Sequence, residues 1–440
     1  MLPDPPVDRL LSVAQGHEES PDRVSAELPP LVVPFRGERY ASPERLSALI
    51  APPYDVISRE ARASYAARDP HNIVHVMLPE APPGDDRYAR AAALLAEWRG
   101  AGVLEQVAEP AVYVMAQDFA LPSGERRTRI GMFAAVAAEP YETRRIRPHE
   151  RTHTGPKADR LALLQATRTN VESILLLAPD PDRELAAALA EVARHPPDAR
   201  AELDDVRIRL WVVTGEAASR LSQLASRLPL YIADGHHRYE TAVTYAREHR
   251  EADRLLGFVA SVSDPGLTIL PTHRIVFGGG RDATKLIVAW RAWFDVGRVA
   301  PCADRIERLA ELGRERTACL VAFPGEYDVS LVLKPGVSLD RVPDLDRTPA
   351  VRSLDVARVD ALVVQVILGA GTATPSLTYT ADPYAAFDAV RTGRAAAAVL
   401  LNPTKVEQVI AVADAGAVMP QKSTYFVPKV PSGLVLRPLA

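Results

Sequence analysis

The chain has 440 residues, a formal charge of −4, 47% hydrophobic and 25% charged residues. These values describe an ordinary globular protein, long enough for a sizeable core and for two or three domains, with no global attraction for nucleic acid. The two cysteines, Cys302 and Cys319, exclude a thiolate zinc cluster and a disulfide framework, which fits a reducing cytoplasm.

Residues 1–30 hold Pro3, Pro5, Pro6, Pro21, Pro29 and Pro30 and no long apolar run. They read as a disordered or loosely attached leader, not a signal peptide. Residues 31–35 and 73–78 are apolar runs that read as strands. A helix over 88–99 places Ala91, Leu94, Leu95 and Trp98 on one face. Segments 111–115 and 129–137 flank the turn Pro122-Ser123-Gly124, a hairpin pattern. A helix over 157–167, a strand over 174–177, a helix over 183–194 and a strand over 207–213 follow. The run 228–233 reads as a buried strand. Asp234-Gly235 ends it, and helical spacing then joins Tyr239, Ala242, Val243 and Ala246. Gly278-Gly279-Gly280 marks a linker. Beyond it come a helix over 283–294, strands over 320–323 and 329–333, a helix over 385–392, a strand over 395–401 and a helix over 406–415 closed by Gly416. The longest apolar stretch, 361–370, contains Gln365 and is too short to span a bilayer. The alternation predicts an α/β or α+β fold.

The most informative segment is Asp234-Gly235-His236-His237-Arg238, a tight turn between an apolar strand and a helix. Backbone N–H groups at a helix start suit an anion, Gly235 lets it approach, and Arg238 adds a forked donor matched to phosphate. Asp234, at the strand end, is placed to hold a metal ion or a hydroxyl. The plainer alternative is a capped helix with Arg238 paired to Glu240 or Glu248 on the surface. Two further loops are polar. In Arg147-Pro148-His149-Glu150, proline stops regular structure, and a loop carboxylate beside a histidine can act as a general base. Arg144, Arg145, Arg147, Arg151 and Lys157 would hold Glu150 ionised or bind phosphate; otherwise this is a solvated basic loop. Near the C-terminus, Lys422-Ser423-Thr424 offers one cation and two hydroxyls, chemistry suited to a small zwitterion or a phosphate. Ala51-Pro52-Pro53-Tyr54-Asp55 reads as a structural turn. No Gly-x-x-x-x-Gly-Lys-Ser/Thr loop, Gly-x-Gly-x-x-Gly or Gly-x-Ser-x-Gly is present, and His236, His237 and Glu240 fit neither His-Glu-x-x-His nor its inverse.

Segments 50–58, 147–151, 231–242, 264–274 and 419–426 together resemble the hallmarks of a bacterial and archaeal family known as domain of unknown function 1015. More distantly, the Pro-His-Glu loop, the Asp-Gly-His-His-Arg turn and the late Lys-Ser-Thr run are similar, in the same order, to the free L-serine kinases of the ParB/sulfiredoxin superfamily. That resemblance implies a ParB/sulfiredoxin-like phosphate-binding core over 141–277, with α/β regions at 31–140 and 281–440, the latter closing the cleft. It implies a cytoplasmic phosphotransferase acting on free serine or a similar hydroxyl amino acid, with ATP or ADP as donor and Mg²⁺. Catalytic roles would fall to Glu150 as base, Asp234 and His237. Gly235, His236, His237 and Arg238 would hold phosphate; His149, Lys422, Ser423 and Thr424 would face the substrate; Asp234 would bind the metal. The alternative is a ParB-like nucleotide-binding regulatory or DNA-associated module.

Overall fold

The computed structural model describes residues 29–152, 154–278, 282–300, 304–325, 327–343, 345–369 and 376–439. Residues 1–28 of the expected leader, Gly279 and Gly280 of the glycine run, and Cys302 lie outside them.

The central element is a mixed nine-stranded sheet. Its order is Ile146–Arg147, Leu230–Asp234, Ile174–Ala178, Arg254–Ser261, Arg126–Ala137, Ala111–Ala120, Val206–Thr214 and Ala199–Leu203, with Val32–Val33 also pairing with Arg126–Ala137. Two pairs are parallel: Leu230–Asp234 with Ile146–Arg147, and Arg254–Ser261 with Ile174–Ala178. The rest are antiparallel. The sheet thus takes strands from both sides of residue 140. Its middle strands are apolar on both faces because both are covered. Met132, Ala134 and Val136 pack with helices Glu184–Val192, Gly215–Ser226 and His236–Glu248. Their neighbours Phe133 and Ala135 face the opposite layer, which contains Leu49, Val76, Leu95 and Trp98 from the N-terminal helices.

A second, six-stranded antiparallel sheet follows, ordered Phe294–Val299, Asp328–Leu333, Ala318–Ala322, Ala397–Leu401, His273–Phe277 and Ser376–Thr380. It too is packed on both faces. The two bodies are tied by the chain's last segment. Thr268–Leu270 pairs with Tyr425–Val427, Ala51 bridges Ser432, Glu38 bridges Leu436, and Asn170 pairs with Arg437. No helix among the described residues is long and apolar enough to cross a membrane.

Most expected elements occur with boundaries shifted by a few residues, but two readings need correction. The apolar run 73–78 is not a strand: Val74–Met77 forms a buried helical turn. A short apolar run has no periodicity to separate helix from strand, and here Asn72 decides. Its side-chain carbonyl accepts the Val74 N–H at 2.9 Å, while its amide donates to the carbonyls of Ala48 at 2.7 Å and Ile50 at 3.1 Å. The expected 283–294 helix stops at Trp290, and Phe294 instead starts a strand against Asp328–Leu333.

Asn72 is fully buried. Asn72→Ala leaves buried backbone groups without partners, so unfolding free energy should fall by about 1–3 kcal/mol per such group. Urea denaturation should show a lower midpoint with an unchanged slope.

Candidate functional site

The turn after Leu230–Asp234 is built as the sequence implies. Helix His236–Glu248 starts immediately after Gly235, which adopts φ +93°. A Cβ there would lie 2.8 Å from Ile174 Cγ2 and 3.1 Å from the Arg238 guanidinium carbon, so both conformation and space require glycine. Tyr239, Ala242 and Val243 bury the helix face against the sheet.

Asp234–Arg238 line a cleft of about 950 Å³, part of it open to solvent. Glu150, Lys422 and Thr424 line the same cleft, as do Tyr54, Asp55, Tyr425 and Lys429. Three polar loops far apart in sequence thus meet in one place. Two of the expected residues do not reach it. Ser423 is buried with its hydroxyl donating to the Pro420 carbonyl at 2.5 Å, and His149 lies behind the cleft wall, 2% exposed.

Asp234 is held from two sides. One carboxylate oxygen accepts from Arg238 at 2.7 Å and the other from Lys429 at 2.5 Å. Burial alone would push this carboxyl up, but Lys429 and Arg238 outweigh it and keep Asp234 well below the usual carboxylate range. Each oxygen of Asp234 thus already faces a cation. Among the described residues no cluster of three His, Cys, Asp or Glu side chains suited to a metal accompanies it.

The forked donor of Arg238 is also largely engaged. One terminal nitrogen bonds Asp234, the other the Ser173 carbonyl, and Nε is buried without a partner. Burial opposes the charge, but Asp55, Glu172 and Asp234 hold the Arg238 pKa above its ordinary value. The surface pairing with Glu240 or Glu248 does not occur, because Glu240 takes Lys157 at 2.8 Å and the Thr152 hydroxyl at 2.6 Å.

Three of the cations expected around Glu150 face elsewhere. Arg144 and Arg147 bond Asp414, and Arg145 pairs with Glu139 at 2.8 Å. What stands beside Glu150 is a pair of buried histidines. The Ile232 carbonyl, 2.8 Å from His149 Nδ1, requires a proton on that nitrogen, so Nε2 accepts from the Thr424 hydroxyl at 3.3 Å. The His149 backbone N–H donates to His236 Nε2 at 3.3 Å, which leaves the His236 proton on Nδ1, 3.9 Å from the Glu150 carboxylate. Burial pushes His149 down to about 4 and, with His149 adjacent, pushes His236 well below its ordinary value. Both rings are therefore neutral; His149 holds Thr424, and His236 lies beside Glu150.

Sequence reasoning missed Lys429 and treated Tyr54-Asp55 as structural only. Lys429 follows the 419–426 motif between Pro428 and Pro431, and a lone lysine carries no recognisable pattern. Its placement comes from the sheet: Arg129 donates to the Pro428 carbonyl at 2.6 Å and Gln117 to the Lys429 carbonyl at 3.0 Å.

Fold and cleft together define a mixed α/β protein whose large sheet ends in a charged, partly open site. The chain belongs to the family described as a protein of unknown function, DUF1015, which matches residues 32–357. Among solved structures it is similar to a conserved hypothetical protein from Pyrococcus furiosus, at 15% identity and TM-score 0.32 over 69% of this chain and 93% of that one. A free serine kinase in complex with AMP is similar at 13% identity and TM-score 0.34, over 68% and 87% of the two chains. SbnI from Staphylococcus aureus, truncated at its C-terminus, is similar at 11% identity and TM-score 0.36, over 70% and 87%. No curated protein matches the chain. Similarities this distant leave the site to be read from its own geometry.

His149 yields a pH prediction. Its folded pKa, about 4, lies below its unfolded value near 6.5. Between these limits the unfolded state binds a proton that the native state refuses, so stability should fall as pH drops from about 6.5 to about 4. His149→Asn should make the loss shallower in that window, measured as urea midpoint against pH. Parallel profiles for both proteins would remove His149 as a cause.

Proposed function

We propose that the cleft transfers a phosphoryl group from a nucleotide, ATP or ADP, to the hydroxyl of a small amino acid such as free serine. The observation that supports this most is the meeting of Glu150, the Asp234–Arg238 turn, Lys422 and Thr424 on one cleft. Phosphoryl transfer needs little covalent chemistry from a protein; it needs held phosphates, an aligned hydroxyl and a proton acceptor in one place.

In this reading the first turn of helix His236–Glu248, including His237, holds phosphate oxygens, and Lys422 faces the acceptor. Glu150 takes the proton of the acceptor hydroxyl as that oxygen bonds to the terminal phosphorus and the phosphorus–oxygen bond to the remaining nucleotide breaks. Asp234 acts by fixing Arg238 and Lys429. Neutral His236 orients Glu150, and His149 orients Thr424. The same reading takes 141–277 as a ParB/sulfiredoxin-like core closed by 281–440, working in the cytoplasm. The rival reading, a nucleotide-binding regulatory module, shares the phosphate turn but has no use for the carboxylate at Glu150.

The test is a matrix of phosphate donors and hydroxyl amino acids on purified protein, with Mg²⁺ supplied, read by mass spectrometry. Phosphoserine is the expected product. Glu150→Gln should lower turnover by about 10²–10⁴-fold, the scale of a lost general base, with nucleotide affinity nearly unchanged. Nucleotide binding without product across the matrix would favour the regulatory module, and unchanged turnover in the variant would remove Glu150 as base.

A further inference from the structure

The N-terminal region contributes a wall of this cleft. Tyr54–Val56 forms a short helical turn on its rim, and Asp55 is exposed there. The turn is fixed from beneath. The Tyr54 N–H donates to Glu172 at 3.0 Å, buried Glu172 pairs with buried Arg160 at 3.1 Å, and the Arg160 guanidinium lies 4.3 Å from the Tyr54 ring centroid. Asp55 is therefore presented by a rigid support, not by a loose loop.

The charges of the cleft fall into two groups. Asp234 is in close ion pairs with both Arg238 and Lys429, one carboxylate between two cations. Asp55 and Lys422 are different: both are exposed, and among the described residues no hydrogen bond or contact-distance ion pair holds the Asp55 carboxylate or the Lys422 ammonium, although Asp55 acts on Arg238 and Lys429 at longer range. They carry opposite charge, line the same cleft and are not paired with each other. A ligand with a cation at one end and an anion at the other would satisfy both. A ligand with phosphate alone would leave Asp55 repelling it.

Resting on the kinase reading of the same cleft, we propose that Asp55 binds the ammonium of a free, unblocked amino acid while Lys422 binds its carboxylate. This places the acceptor hydroxyl toward Glu150 and makes the N-terminal region the determinant of acceptor choice. It selects α-amino acids over hydroxy acids and amino alcohols of the same size, because each of those leaves one charge in the cleft unmatched.

Calorimetric titration of full-length protein with free L-serine, 3-hydroxypropionate and ethanolamine separates this from the kinase reading, because it needs no turnover. Wild type should prefer serine over 3-hydroxypropionate, which lacks the ammonium, by about 10–100-fold, the scale of a charge-assisted contact. Asp55→Asn should reduce that preference to less than about threefold while leaving the preference over ethanolamine intact. Lys422→Met should do the reverse. Serine binding with the preference lost in Asp55→Asn, but no phosphoserine in the transfer assay, would uphold the acceptor site and sink the kinase. Phosphoserine formation with the preference unchanged in Asp55→Asn would sink the Asp55 assignment and keep the kinase. Absence of any preference for serine in wild type would overturn the proposal outright.

Discussion

The site depends on one carboxylate. Asp234 sits at the end of a buried strand and is gripped by Arg238, four residues on, and by Lys429 from the far end of the chain. Those two ion pairs join the start of a helix to the C-terminal segment through a single side chain. A buried ion pair adds little net stability against an apolar alternative, but removing one partner is costly because a charge is left behind. The Asp234 cluster therefore specifies geometry more than it stabilises the fold.

Much of the fold was legible because its signals are local. The hairpin around Pro122-Ser123-Gly124, the Arg87–Gly100 helix and the strand–turn–helix at Asp234-Gly235 all follow from period and turn chemistry. The Val74–Met77 turn was not legible, since its conformation is set by Asn72 reaching carbonyls more than twenty residues away. Nor was the sheet order, in which strands from 111–137 and 174–261 form one surface.

The candidate site divides the same way. Gly235 was readable because a tight turn between strand and helix has few solutions. The partners of Arg238 were not, because a side chain that suits phosphate equally suits a carboxylate and a backbone carbonyl, and only the fold decides which is near. His149 and Ser423 belong to recognisable motifs yet support the cleft from behind. Lys429 belongs to none and lines it. Motif membership located the neighbourhood, while side-chain direction came from packing.

The way the last segment is attached has a consequence for the order of events in making this protein. Pairings of Glu38 with Leu436, Ala51 with Ser432 and Asn170 with Arg437 join residues separated by most of the chain. Closing such long loops costs entropy that only late contacts return. Lys422, Thr424 and Lys429 all lie in or beside that segment. During synthesis the large sheet can have all its strands while the cleft still lacks one wall. The cleft is complete only when the 425–438 segment has found its place.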